Sequence, residues 1–306
     1  MRFRFFLLIP IQNYTMDYSH IIWSFSSTLG SLYGKDPKTS LLLKQISVDL
    51  CPSEIIDICT TRKKSYILLC SKLHSVKFSN LSLKKHELPL SNYQALISSS
   101  NQIYIIGNYS LKFDVNSKLC RKLSISLQNS KILTKTSYQD HLYMLINSQE
   151  KGTESLICTY NTIKDTTNVY KLQERLDYMG HSLGFIKDNS LFVFGGKYCM
   201  GWASLDFFRI ELENLRIEYL KPMIKSGIFN VNSFHLTSSK VAAVDCSGFM
   251  HVYDFSNCKW KMYSEKHWKQ RVAFLWLWKK LTDLNSLQPI AQLKQPIVRK
   301  LLVEYF

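Results

Sequence analysis

The sequence predicts an all-β fold, a six-bladed β-propeller followed by a C-terminal helical tail. A short apolar run recurs six times, and successive copies are separated by 37 to 49 residues. Repeats of about 44 residues have the length of a four-stranded propeller blade. A closed ring of such blades also removes the exposed sheet edges that an open array would leave.

The recurring runs predict the middle strand of each blade. They are Ile21–Phe25, Tyr66–Cys70, Ile103–Ile106, Leu142–Ile146, Leu191–Phe194 and Lys240–Asp245. Cys70 and Cys158 lie in apolar runs, where cysteine acts as a small hydrophobic residue. We therefore expect both thiols inside the blades.

The next strand of each unit ends in an aromatic residue and a small polar residue. The pairs are Phe113-Asp114, Tyr160-Asn161 and Tyr253-Asp254, and Val76-Lys77-Phe78-Ser79 has the same pattern. Side chains of Asp, Asn and Ser bond back to the backbone and so start turns. Outer strands with half-polar alternation follow at Leu83–Leu88, Leu119–Ser124, Asn168–Leu172, Arg216–Leu220 and Lys259–Tyr263.

One unit resembles a kelch repeat. The run Leu191–Gly196 ends in the double glycine Gly195-Gly196 and is followed by Asp206–Ile210, while Tyr253-Asp254 with Trp260 matches the second half of that pattern. The resemblance covers residues 20 to 263, although other units carry Gly107-Asn108, Asn147-Ser148 or Cys70-Ser71 at the glycine position. It implies a degenerate kelch-like propeller. A WD40 array shares the period and is the rival, ranked lower because no Trp-Asp dipeptide is present.

The chain divides into three predicted parts. Residues 1–19 form an N-terminal segment, for which the alternatives are a start at Met16, a strand that closes the ring, or a short targeting stretch. Residues 20–264 form the propeller and residues 265–306 the helical tail. No run approaches the roughly 18 apolar residues of a membrane helix, so no membrane partner is expected.

The tail resembles the short helical docking boxes of ubiquitin-ligase adaptors, of the F-box or SOCS-box type. The alternative is an amphipathic helical pair that packs on the propeller. The residues of the candidate docking box are Leu287, Ile290, Pro296, Ile297, Leu301, Leu302 and Tyr305.

The distribution of charge and the spacing of cysteines argue against a nucleic-acid-binding protein and against a zinc protein. The formal net charge is +16, but the basic residues are scattered, and the longest basic run is Arg62-Lys63-Lys64. We therefore expect no nucleic-acid partner. The eight cysteines show no zinc-ligand spacing. These features predict reduced thiols, a cytoplasmic protein, and no metal or cofactor.

The predicted function is a non-catalytic scaffold that binds a protein of unknown identity. No glycine-rich phosphate-binding loop is present, and Asp114, Asp206 and Asp254 have a turn role. Propeller loops converge on one face, so the binding surface is expected to include Gly195–Gly201 and Gln149–Glu154. Two alternatives remain open: a substrate-recruiting adaptor of a ubiquitin ligase that uses the tail, and a propeller enzyme such as an oxidase or glycan hydrolase.

Overall fold

Six antiparallel sheets follow one another along the chain in the computed structural model. The structure describes residues 21–26, 31–36, 42–47, 50–61, 63–78, 82–89, 92–99, 102–148, 154–198 and 200–263. The predicted all-β, six-bladed propeller is confirmed. Helical structure in this part of the chain is limited to a 3-10 turn at Pro52–Glu54.

The strands of the six blades run in chain order. Blade 1 contains β1 (Ile22–Ser26), β2 (Ser31–Lys35) and β3 (Leu42–Ser47); blade 2 contains β4 (Asp57–Thr60), β5 (Lys64–Leu68), β6 (Lys72–Lys77) and β7 (Leu83–Glu87). Blade 3 contains β8 (Tyr93–Ser99), β9 (Gln102–Gly107), β10 (Leu111–Asp114) and β11 (Cys120–Lys122); blade 4 contains β12 (Ser130–Tyr138), β13 (His141–Ser148), β14 (Glu154–Asn161) and β15 (Thr166–Lys171). Blade 5 contains β17 (Leu183–Lys187), β18 (Ser190–Phe194), β20 (Phe207–Glu211) and β21 (Ile217–Tyr219), and blade 6 contains β22 (Phe234–Leu236), β23 (Lys240–Val244), β24 (Met250–Asp254) and β25 (Lys259–Tyr263). A separate two-stranded sheet pairs β16 (Tyr178–Gly180) with β19 (Lys197–Tyr198).

The position of a strand in its blade explains its composition. Middle strands such as β18 are buried along their whole length, because neighbouring blades cover both faces of the sheet. Outer strands such as β7 and β15 are mostly exposed, so polar and charged residues dominate there. This contrast produces the recurring apolar runs of the sequence.

Apolar clusters between adjacent blades hold the ring together. Blade 2 packs on blade 3 through Tyr66 and Phe113, whose ring centroids lie 6.2 Å apart. Blade 5 packs on blade 6 through an aromatic cluster. In this cluster the ring centroid of Phe207 lies 4.7 Å from that of Tyr253 and 5.2 Å from that of Trp260. The first strands of successive blades lie side by side, β4 beside β8, β8 beside β12 and β12 beside β17.

Blade 6 meets blade 1 through polar contacts as well as packing. The Trp23 amide donates a hydrogen bond of 2.9 Å to Ser233 Oγ, and β1 lies against β22 and β23. The four described strands of blade 6 come from consecutive residues, 234 to 263. The predicted N-terminal segment 1–19 and the helical tail 265–306, with its docking-box residues, lie outside the described residues.

Two details of the predicted strands differ from the structure. Ile21–Phe25, predicted as a middle strand, falls on β1, the first described strand of blade 1, whereas the other five runs fall on second strands. β5 ends at Leu68, and Cys70 is exposed in the turn that follows, so its predicted place inside a blade is wrong; Cys158 is buried as expected. Lys72 must begin the next strand, which leaves Cys70 and Ser71 to make the turn. In the described part of the chain, no helix has the length and apolar character needed to span a membrane.

Candidate interaction faces

Antiparallel strands in chain order send their connections alternately to two faces of the propeller. In blades 2 to 6, the connection between the second and third strands and the connection to the next blade meet at one face, which we call the first face. Hydrogen bonds from Leu88 N to Ser71 O (3.0 Å) and from Leu127 N to Gly107 O (3.0 Å) join these two kinds of connection. The remaining turns emerge at the opposite, second face.

Both predicted binding loops connect a second strand to a third strand, and the described ends of those strands lie at the first face. The blade-5 loop, residues 195–206 apart from Cys199, connects β18 to β20. Of Gln149–Glu154 the structure describes Glu154, which pairs with Ser148 where β13 gives way to β14. The blade-4 connection therefore starts and ends at the same face as the blade-5 loop.

The double glycine fixes the base of the blade-5 loop. Gly195 has φ of +64° and Gly196 has φ of +99°, a region that glycine enters without steric cost. A Cβ atom on Gly196 would lie 2.1 Å from Ser182 Oγ, and one on Gly195 would lie 2.5 Å from a ring carbon of Phe229. Both glycines are thus required by a close approach of the loop to the chain that enters the next strands.

Hydrogen bonds connect the described residues in the remainder of the blade-5 loop. Tyr198 N donates to Trp202 O at 2.8 Å, Gly201 N donates to Tyr198 O at 2.9 Å, and Ser204 N donates to Gly196 O at 2.9 Å. β19 also pairs with β16, which ties the loop to the chain entering blade 5. The loop is therefore a short, ordered hairpin.

This hairpin exposes large apolar side chains. Met200 is 85% exposed and Trp202 is 72% exposed. Leu205 and Ile224 are exposed as well, and a 2.8 Å hydrogen bond from Met223 N to Leu205 O brings their segments together. We call Met200, Trp202, Leu205 and Ile224 the first-face patch. Contiguous exposed apolar residues mark interaction sites on soluble proteins.

A buried ion pair joins blades 2 and 4 below the first face. Lys135 on β12 contacts Asp57 on β4, and their side chains are only 13% and 9% exposed. Asn232 donates to the carbonyl of Lys135, so three blades meet at this point. The pair lines a cavity of about 310 Å³ together with His181. Partial desolvation of its ring beside the cavity lowers the pKa of His181 below its ordinary value, and the charge of Lys135 adds to that effect.

A larger cavity of about 890 Å³ opens at the second face. Its polar lining residues include Thr60 and Ser137, and Lys63 and Lys64 line it as well. Asn232 lines both cavities, so the Asp57–Lys135 pair lies close to the boundary between them.

The predicted repeat-motif residues lie in turns and in blade interfaces. Asp114 accepts hydrogen bonds from the Asn116 and Ser117 amides and from Gln102. These bonds, that of the Ser117 amide first, lower the pKa of Asp114 to about 2. Phe113, with its ring on Tyr66, is buried beside this turn.

The other repeat-motif residues also lie either in turns or in the interfaces between blades. The Tyr160 hydroxyl donates to Asp165 at 2.7 Å, and burial raises the pKa of Tyr160. Asp254 accepts from the Ser256 amide at 3.0 Å. Tyr253 and Trp260 pack in the aromatic cluster of blades 5 and 6, and Asp206 accepts a hydrogen bond from the Tyr198 hydroxyl. These residues build the scaffold that displays the loops.

One motif was missed by the sequence reasoning. Gly180-His181-Ser182-Leu183-Gly184 matches the Gly-x-Ser-x-Gly pattern of hydrolase nucleophiles, which requires a strand, a sharp turn and a helix. Here the motif connects β16 to β17, and Ser182 is buried against the double glycine. The required helix is replaced by a strand, so this match does not form a nucleophile elbow.

Other residues of the candidate faces could not be predicted from the sequence, because they come together only in the folded chain. Asp57 and Lys135 are separated by 78 residues. Trp202 could have been singled out as an aromatic residue in the loop after the double glycine. Among the described residues, no group of three or more His, Cys, Asp or Glu side chains could hold a metal ion.

Comparison with known proteins agrees with the architecture. A chain from the crystal structure of a nidogen/laminin complex has a TM-score of 0.55 to this protein, with 10% sequence identity over 80% of this chain and 92% of that chain. At that identity the likeness shows the propeller fold alone. No protein-family model matches the sequence, and no curated protein matches it either.

Proposed function

We propose that this protein is a non-catalytic propeller scaffold that binds a protein partner through its first face. The observation that carries the proposal is Trp202, an indole that is 72% exposed on a hydrogen-bonded hairpin. Tryptophan is enriched among the residues that dominate binding energy in protein interfaces. A preordered loop also loses little conformational entropy when a partner docks.

Two further observations support this proposal. The first-face patch combines Trp202 with Met200, Leu205 and Ile224, so it offers a partner four exposed apolar side chains on one face. A propeller of similar fold occurs in the crystal structure of a nidogen/laminin complex, which fits the use of such a scaffold in protein assembly. We further assign the repeats to a degenerate kelch type, on the strength of Gly195, Gly196 and Asp206.

The test compares matched variants in affinity purification followed by mass spectrometry. Met200→Ala/Trp202→Ala removes the two most exposed apolar side chains of the hairpin. Leu119→Ala removes a side chain that is 70% exposed in a second-face turn and serves as the control. Partners should be lost from the double variant and retained by the control. Recovery of the same proteins with both variants would refute the first-face assignment.

The adaptor alternative rests on the docking-box sequence of the tail. It predicts that a chain lacking residues 286–306 no longer copurifies with a cullin-type partner but still binds its first-face partner. Unchanged cullin recovery would exclude the adaptor role. We also propose a cytoplasmic location, which subcellular fractionation tests.

A further inference from the structure

Lysine side chains from three strands and a neighbouring turn gather on the second face. Lys64 on β5 is directly paired with Lys77 on β6, and Lys84 on β7 is opposite Ser75. Lys118 belongs to the turn that ends at β11 in the next blade. Burial lowers the pKa of Lys64, and the charges of Lys84, Lys118 and Lys77 lower it further. We call Lys64, Lys77, Lys84 and Lys118 the second-face lysines.

These lysines carry no balancing charge in the described part of the chain. No ion pair there joins any of the four to a carboxylate. Glu87 is engaged by Lys85 at 2.5 Å, and the Asp114 oxygens already accept hydrogen bonds from Ser117 and Gln102. Clustered like charges repel one another, and an anion that binds among them relieves that repulsion.

The cluster adjoins the large cavity of the second face. Lys64 belongs to both, and Lys63 lines the cavity next to it. At about 890 Å³ the cavity has the size of a ligand site, and Thr60 and Ser137 among its lining residues carry hydroxyl groups. Such groups hydrogen-bond to a peptide backbone, while ammonium groups pair with carboxylates.

We propose that the second face binds an acidic peptide segment, whose carboxylates pair with the second-face lysines while its backbone enters the cavity. A nucleic acid fits less well, because single strands bind through exposed aromatic platforms. Trp23 lines this cavity but is 1% exposed and stacks on Phe78 at 4.3 Å, so its ring has no free face for a base. This site is independent of the first-face proposal, and either can fail without the other.

Fluorescence anisotropy on the full chain tests the proposal with a labelled peptide of alternating Asp and Glu. The variant Lys64→Gln/Lys84→Gln/Lys118→Gln should bind this peptide about tenfold more weakly than the unaltered protein, a loss of about 1.4 kcal/mol. The control Lys131→Gln/Lys221→Gln/Lys261→Gln removes the same charge at exposed positions, two at the first face and one on the outer strand of blade 6, and should bind as the unaltered protein does. Raising the salt concentration should weaken binding, because exposed charge pairs are screened.

The outcomes separate the proposal from its competitors. Equal peptide affinity in the two triple variants would overturn it, since net charge alone would then explain binding. Equal binding of an Asn/Gln peptide would overturn it as well. Tighter binding of single-stranded DNA than of the acidic peptide would reassign the site to nucleic acid. Thermal melting of both variants checks that the substituted lysines leave the fold intact.

Discussion

The two faces of the propeller differ in what they offer a partner. The first face carries Trp202 and Met200 on a hydrogen-bonded hairpin, while the second face carries the second-face lysines beside a cavity that Lys64 lines. The connection from β18 to β20 is long enough to form its own strand, whereas a second-face turn such as 162–165 only reverses the chain. The same blade fold can therefore present an apolar surface at one face and a basic surface at the other, because the connections at the two faces differ in length and composition.

The largest expected effect comes from the ion pair that lies between the faces. Asp57→Ala should lower the free energy of unfolding by about 3–5 kcal/mol, because it leaves Lys135 buried without its counter-charge. Urea denaturation measures this. The exposed pair of Lys171 and Glu154 is the control, and Glu154→Gln should change the free energy by less than about 1 kcal/mol. Equal effects of the two variants would show that the Asp57–Lys135 pair does not stabilise the fold.

The second-largest expected effect is on partner binding, and it tests whether the two faces bind independently. Met200→Ala/Trp202→Ala should weaken first-face partner binding by about 2 kcal/mol or more, close to thirtyfold. The same variant should leave acidic-peptide affinity at the second face unchanged, because distant independent sites behave additively. Titration of both ligands against the variant measures this. A parallel loss of both affinities would mean that the two faces are coupled.

The third effect concerns the base of the first-face hairpin. Gly196→Ala should destabilise the protein by about 1–3 kcal/mol, because the new Cβ meets Ser182 and the backbone has positive φ. Gly201→Ala is the matched control, since Gly201 also has positive φ but its Cβ would have its nearest neighbour at 3.6 Å. Thermal melting compares them. If Gly201→Ala cost as much, the backbone conformation and not the close contact would be limiting.

The smallest effect is a pH dependence at a second-face turn. The folded-state pKa of Asp114 is lowered from 3.8 to about 2, so its contribution to stability is present above pH 3.8 and is lost as the pH falls toward 2. Asp114→Asn should remove that part of the pH dependence. Denaturation midpoints measured between pH 5 and pH 2 test this. A variant with the same acid profile as the unaltered protein would contradict the prediction.

Much of the blade architecture could be predicted from local sequence. The run Ile103–Ile106 predicted β9, and Leu111–Asp114 coincides with β10, because a strand buried on both faces needs a continuous apolar run. The outer strands were placed to within a few residues since their exposed faces demand polar side chains. Cys70 was misplaced because an apolar run does not show where a tight turn begins.

The sites were harder to predict, because they depend on distances across the ring. Lys64, Lys84 and Lys118 look like scattered basic residues in the sequence, and only the pairing of β5 to β7 and the approach of blade 3 bring them together. The Asp57–Lys135 pair likewise joins blades 2 and 4. The loop with the double glycine was predicted, yet the exposure of Trp202 depends on how the hairpin folds back.

Site-specific photo-crosslinking tests the central claim most directly, that the ordered hairpin of the first face is the surface where a partner docks. A photo-reactive amino acid is placed at position 202 in one protein and at position 119 in another, each in place of an exposed apolar residue on opposite faces. The proposed function predicts a covalent adduct with a partner from position 202 and none with that partner from position 119. An adduct from position 119 alone, or equal adducts from both, would contradict it.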